Sequence, residues 1–211
     1  MSDTFYKFIR ATWGFPMTWS SRPTLLGFEN VPRTGPCIFA STHTSYFDVP
    51  LLVKHTPRLL DFVSIIEEFR TPILGWFYGA MNAFPLDRSR ADPKTVRIIL
   101  DRLKRGRAVL IFPEGGIRPP DQSAIATGRI RRGIGRIATL AQAPIIPVVV
   151  VNGAAYLRAI SWAPIRRVRY GLIYGKPIQP DGDPQSIESR LVESFRALHA
   201  ALESQMAAPK A

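Results

Sequence analysis

Cysteine, acidic side chains and long apolar runs are all scarce in this chain of 211 residues. The single cysteine, Cys37, excludes an internal disulfide and a cysteine-rich metal site. It suits a reducing compartment. No apolar run approaches the roughly 20 residues that span a bilayer. The N-terminus does not read as a secretory signal, because Lys7 and Arg10 interrupt its apolar residues and no small-residue cleavage site follows. The 19 prolines and 15 glycines have neither collagen's period nor a linker's density. What is present suffices for a core: 46% of residues are hydrophobic and 21% charged, which fits one globular domain.

The shortage of acid is uneven. Overall, 28 basic residues face 16 acidic ones, a net charge of +12. From Gln122 to Pro180 there is no Asp or Glu, while nine basic residues occur: Arg129, Arg131, Arg132, Arg136, Arg158, Arg166, Arg167, Arg169 and Lys176. A stretch of that kind presents a positive face to nucleic acid, a lipid headgroup surface or a phosphorylated substrate. The plainer alternative is a solvated surface that keeps the protein soluble.

Five short apolar runs read as buried strands: Cys37 to Ala40, Leu60 to Ile65, Ala108 to Phe112, Ile145 to Val151 and Val168 to Tyr174. Helical patterns lie between them. Asp92-Pro93 starts one that Gly106 ends, and Asp183-Pro184 starts the last. Alternating strands and helices predict a single α/β domain with a mixed, largely parallel sheet flanked by helices. In such sheets, sites form at the carboxyl ends of the strands. Residues 1–20 stand apart from the domain at 21–211. Phe5, Phe8, Ile9, Thr12 and Trp13 share one helical face, and with Lys7 and Arg10 they fit a helix lying in a membrane interface. The same face also suits packing on the protein's own core.

Of three histidines, His55 and His199 read as structural or solvated. His43 follows the strand ending at Ala40 and stands five residues before Asp48. An Asp there orients the ring through one nitrogen and leaves the other as a base. Five residues on a continuous helix would place the two side chains about 140° apart. The pair therefore requires His43 in a loop and Asp48 in the first helical turn, with Ser45 as a plausible N-cap. Ser45 to Asp48 is equally a capping-box pattern, which leaves Asp48 a purely structural alternative. Glu114, with Gly115 and Gly116, follows another strand, where a carboxylate in a glycine turn can receive a substrate's hydrogen bonds or merely close a turn. Gly133 to Ala138 matches GxGxxA, but no strand precedes it and arginines surround it, so it is rejected as a cofactor loop.

Four blocks together resemble the glycerolipid acyltransferase family. His43 to Asp48 resembles its HxxxxD block, Phe84 to Arg88 its second block, and Phe112-Pro113-Glu114-Gly115 its FPEG block. Ala143 to Val148 resembles its apolar fourth block. The resemblance runs from about Gly27 to Lys176. It implies that His43 is the general base, Asp48 its orienter, Arg88 a phosphate contact, and Glu114 and Gly115 positioners of the acceptor. Ile130 to Gly133 resembles the family's FKxG, so Arg131 would replace the lysine as a phosphate contact. The family's Thr-Arg after Glu-Gly is here Gly116-Ile117, with the arginine one place later as Arg118.

The resemblance implies acyl transfer from acyl-CoA or acyl carrier protein to 1-acylglycerol 3-phosphate, giving phosphatidic acid. No cofactor and no metal are expected, since a thioester is already activated. The implied partners are an anionic membrane surface, the lysophospholipid acceptor and the acyl donor, with the protein peripheral on the cytoplasmic face and nucleic acid not among its partners. The close alternative is another lysophospholipid, a glycolipid or an amine as acceptor. A serine hydrolase is disfavoured because no GxSxG elbow accompanies Ser41 or Ser45. A nucleic-acid module is disfavoured because it leaves His43, Asp48 and Glu114 without a role.

Overall fold

All five apolar runs form strands, and two further strands close the edges of the sheet. The computed structural model describes residues 3–87, 93–163 and 168–208. In chain order its elements are α1 (Asp3–Ser20), β1 (Ser21–Leu26), β2 (Cys37–Ser41), α2 (Asp48–His55), β3 (Leu60–Ile65), α3 (Pro72–Ala80), β4 (Ala83–Leu86), α4 (Pro93–Lys104), β5 (Ala108–Ile111), α5 (Ala124–Thr127), α6 (Ile134–Ala141), β6 (Ile145–Val151), β7 (Val168–Tyr174) and α7 (Pro184–Ala207). The seven strands lie in the order β1-β7-β6-β2-β5-β3-β4. Five of them (β4, β3, β5, β2 and β6) run the same way. β7 turns antiparallel to β6, and β1 follows β7. This is the expected mixed, largely parallel sheet.

β1 and β4, which the sequence pattern does not announce, are the two edge strands. Each contains a proline, Pro23 and Pro85. A proline lacks the N–H a central ladder needs and is tolerated at an edge. The central strands alternate between two cores. Cys37 and Phe39 of β2 face one side with Ile146, Val148 and Val150 of β6. Ile38 and Ala40 face the other, packed with Ile145, Val149 and the α7 residues Ile187, Leu191 and Phe195. At the last helix, the Asp183 carboxylate accepts from the Gln185 and Ser186 N–H groups, as its start signal predicts. Gly106 sits past α4 at φ 72°, as its stop signal predicts. Asp92, at the other end of α4, lies outside the described residues, as do Arg166 and Arg167. No strand immediately precedes Gly133, consistent with rejecting a dinucleotide loop there.

The N-terminal helix differs from the expectation in how it divides its faces. Tyr6 and Met17 are fully buried members of the core, and the Tyr6 hydroxyl accepts from Leu60 N–H. Phe5 and Ile9 pack partly against the same core. Phe8, Trp13, Phe15 and Trp19 are exposed. α1 ends at Ser20, where the sequence sets the segment apart, yet it is integral to the fold. Charge fastens it as well: Asp61 is fully buried on β3, bonded by Arg102 at 2.8 Å, and Arg107 bridges Asp61 to Asp3 of α1.

His55 takes the structural alternative and is held inside the fold. Its Nε2 lies 2.6 Å from the Tyr170 hydroxyl. Burial, with Lys54 and Arg10 nearby, pushes its pKa from 6.5 down to about 4. Below pH 6.5 the unfolded chain takes up a proton that the fold refuses, so stability is lost as pH falls toward 4. For this group the slope is at most about 1.4 kcal/mol per pH unit. Thermal unfolding between pH 7 and 5 should therefore depend less on pH in His55→Gln than in the wild type. Equal dependence in both would overturn this assignment. His199, the third histidine, pairs with Glu203 on the face of α7 at 3.5 Å.

Candidate active site

Parallel pairing brings the carboxyl ends of β2, β5 and β6 to one edge of the sheet. Ala40 on β2 pairs with Ile111 on β5 and Pro147 on β6. The segments beyond those ends carry His43, Phe112 to Gly116, and Asn152-Gly153. Local chemistry aims them at a common point. Asp48 is the first residue of α2 and His43 precedes that helix in a loop, the one arrangement that lets the two meet. The His43 Nδ1 lies 3.1 Å from Asp48 Oδ2. That oxygen also accepts the Thr44 and Ser45 backbone N–H groups, each at 2.8 Å. The capping-type bond and the histidine bond thus share one oxygen, and the two readings of Asp48 are both realised. Ser45 itself caps a turn, its Oγ accepting from Phe47 N–H, while Phe47 occupies the N-cap of α2.

A carboxylate can only accept, so Nδ1 carries the hydrogen and Nε2 is left with its lone pair. Asp48 is fully buried and His43 is 12% exposed, on the wall of a cavity of ≈ 1580 Å³. The Phe112 ring stacks on the imidazole at 4.0 Å between centroids and fixes its plane. The role of Phe112 has no signal in the sequence beyond membership of a motif.

Glu114 does something other than expected. It is buried, and its two oxygens are spent inside the protein: Oε2 accepts His43 N–H at 2.7 Å, and Oε1 accepts Ala124 N–H at 2.6 Å. Burial raises its pKa, opposed by those two backbone bonds. Arg118 N–H closes the same loop onto the His43 carbonyl at 2.8 Å. Glu114 therefore braces the histidine's loop.

Gly115, at φ 73°, holds a conformation that favours glycine, and a Cβ there would strike the Arg131 side chain at 2.2 Å. The glycine lets Arg131 lie across the turn. Gly115, Gly116, Arg118 and Arg131 all line the His43 cavity, joined by Arg132 and Arg136. The loop bearing Arg131 and Arg132 is fixed at its far end by Glu188 of α7, which accepts the Gly133 and Gly135 N–H groups. The acid-free stretch is thus divided in space. Arg131, Arg132 and Arg136 serve the cavity, whereas Arg169 bonds the Met206 carbonyl of α7. Arg88 lies outside the described residues.

One further contact was not legible in sequence. The Asp48 Oδ1 is buried with no hydrogen-bond partner, and Gly153 lies against it: a Cβ at 153 would approach that oxygen to 2.6 Å.

Much of the remaining cavity wall is apolar, with Val53 of α2, Phe62 of β3, Phe77 of α3 and Met81 among its residues. The site therefore combines an oriented histidine, a cluster of cations and a space suited to a long apolar chain.

The model of the family described as Acyltransferase matches residues 22–151. A 1-acyl-sn-glycerol-3-phosphate acyltransferase of Bacillus subtilis is 29% identical over 174 residues, 81% of each chain. A lyso-ornithine lipid O-acyltransferase of Pseudomonas aeruginosa is 33% identical over 81 residues, 38% of this chain and 31% of its own. Against four longer curated relatives the chain spans only 47–62% of their length. The crystal structure of the acyltransferase PlsC from Thermotoga maritima has the same fold, with a TM-score of 0.71, 22% identity, and coverage of 98% of this chain and 81% of that one.

Proposed function

The chain belongs to the acyltransferase family, and from that membership and the site at His43 we propose that it acylates 1-acyl-sn-glycerol 3-phosphate, giving phosphatidic acid. The donor in this reading is a thioester, acyl-CoA or acyl carrier protein. The carrying observation is that one cavity holds both the Asp48-oriented His43 and the arginines Arg118 and Arg131. As the acceptor hydroxyl attacks the thioester carbonyl, Nε2 of His43 takes its proton. The C–S bond then breaks, and the imidazolium returns a proton to the departing thiolate. Asp48 fixes the tautomer of the neutral imidazole and then stabilises the transient imidazolium. Each arginine can grip a phosphate with two parallel hydrogen bonds.

An acceptor panel tests this reading. The purified protein is given acyl-CoA and a series of lysolipids, and thiol release is followed. Turnover is expected with 1-acylglycerol 3-phosphate above all. The late position of Arg118 and the partial match to a lyso-ornithine lipid O-acyltransferase favour lyso-ornithine lipid as the competing acceptor. Preference for it would replace the proposed headgroup while leaving the chemistry.

Gly153 gives a second expectation. Alanine there forces the Asp48 carboxylate to shift, and a misplacement near 1 Å costs about 100-fold in turnover. Gly153→Ala is expected to lower kcat on that scale with KM and far-UV spectrum near wild type. Unaltered kcat would show that Asp48 has room to move.

Such a lipid acceptor places the enzyme at a bilayer. Among the described residues no helix is long and apolar enough to cross one. Peripheral attachment is supported by a shared aromatic face on α1 and α3. Trp13 and Trp76 are 51% and 63% exposed, Ile73 is 77% exposed, and Phe5 joins the two helices through Trp76 at 5.1 Å. Tyr6 and Met17 hold α1 in the core, so deleting residues 1–19 would damage the fold; surface substitutions at Phe8, Trp13 and Trp76 isolate the membrane contact instead. Their replacement by Gln should reduce sedimentation with vesicles. Full retention would argue against attachment through this face.

A further inference from the structure

A second cationic cluster lies away from the arginines beside His43. α1 and α2 meet along a notch of ≈ 520 Å³ lined by Lys7, Arg10, Gly14, Phe15, Thr18 and Lys54. Arg10, Gly14 and Lys54 also line the large cavity, so the notch opens into it. Lys54 is half-buried, and its Nζ donates to Thr18 Oγ1 at 3.0 Å. Among the described residues, no carboxylate forms an ion pair with Arg10 or Lys54. Burial lowers the Lys54 pKa to about 8, with nothing opposing it. A half-buried ammonium without an anion is unfavourable by desolvation. An anion seated beside Lys54 and Arg10 would offset that cost.

We propose that this notch binds the phosphate of an anionic membrane phospholipid, held by Arg10 and Lys54. Three observations favour a bilayer lipid. The notch is open to the surface, its rim residue Phe15 is exposed, and Phe15 adjoins the exposed Trp19 at 5.6 Å. Aromatic residues around a cationic recess match the level of lipid headgroups. Arg10 and Lys54 line the same large cavity as Arg118 and Arg131, the phosphate contacts assigned to the acceptor, but on its α1–α2 side. This lipid assignment rests on the membrane-attachment reading and on no step of acyl transfer.

The full-length protein is titrated with phosphatidylglycerol vesicles, phosphatidylcholine vesicles and, as a soluble phosphate source, coenzyme A. Lys54→Met and Arg10→Gln should each weaken binding to phosphatidylglycerol by about 10-fold, the scale of one charged hydrogen bond, without changing binding to phosphatidylcholine. Lys104→Met, which removes an exposed charge on α4, should do neither. Thr18→Val provides a milder change if either variant fails to fold. In wild-type protein, dihexanoyl phosphatidylglycerol should raise the Lys54 titration midpoint, read by NMR of labelled lysine side chains. Loss confined to coenzyme A would assign the notch to the soluble donor and overturn the lipid assignment. Unchanged binding in every variant, with an unmoved Lys54 midpoint, would overturn the site altogether. Failure of the wild type to bind any vesicle would instead refute membrane attachment itself.

Discussion

His43→Ala is expected to lower acyl transfer by about 10²–10⁴-fold, the contribution typical of a positioned general base. The fold should survive, because the imidazole adds a single side-chain hydrogen bond, to an Asp48 oxygen already held by two backbone N–H groups. The helix start therefore persists without the ring. Asp48→Asn should also reduce the rate strongly, for a different reason. An amide can present its NH2 to Nδ1 and hold the hydrogen on Nε2, the wrong tautomer for a base. It also loses an acceptor for the Thr44 and Ser45 N–H groups if the amide turns, so some instability accompanies it. Turnover and unfolding should be measured on both variants. A His43→Ala protein retaining more than about a tenth of wild-type turnover would remove the base from the mechanism.

Replacing Arg131 by alanine is expected to lower kcat/KM for the acceptor by about 10- to 100-fold, and for the donor far less. That range corresponds to losing a charged hydrogen bond worth roughly 1.5–3 kcal/mol. The loop should keep its place, since Arg131 N–H bonds the Pro113 carbonyl and Glu188 holds Gly133. Arg118→Ala should show the same selectivity for the acceptor, because Arg118 lines the same cavity and its backbone is bonded to His43. Arg88→Ala tests the contact implied by the second block. Initial rates with acceptor and donor varied separately distinguish these cases. If donor and acceptor parameters fall together in Arg131→Ala, its side chain supports the loop and does not grip the phosphate.

Some of this site was plain in the chain. His43 and Asp48 stand at a spacing that can pair only across a loop-to-helix boundary, and the strand from Cys37 placed that boundary at the sheet's carboxyl edge. The turn beyond β5 was equally visible through Pro113-Glu114-Gly115. Its role was not. Whether a carboxylate faces a substrate or its own backbone depends on where the His43 and Ala124 N–H groups arrive, and Ala124 belongs to a short helix with no pattern of its own. The stacking of Phe112 and the approach of Gly153 to Asp48 likewise join segments far apart in sequence.

The chain's own patterning determined the central strands, the caps at Asp183 and Gly106, and the placing of His43 and Asp48 at a strand-to-helix boundary. Those features are local: apolar runs, φ-restricted residues and side chains that bond within a few positions. Tertiary structure decided the edge strands, where proline and, in β4, a length of four residues hide the pattern, and the two faces of α1. A helix with aromatics around much of its circumference has no single inward stripe, so the sheet it meets selects Tyr6 and Met17 for the core and leaves Phe8 and Trp13 outside. Packing likewise gathered Arg10 and Lys54 into one recess and distributed the arginines of an apparently continuous basic stretch between the cavity and α7, because parallel strands set residues far apart in the chain along one edge.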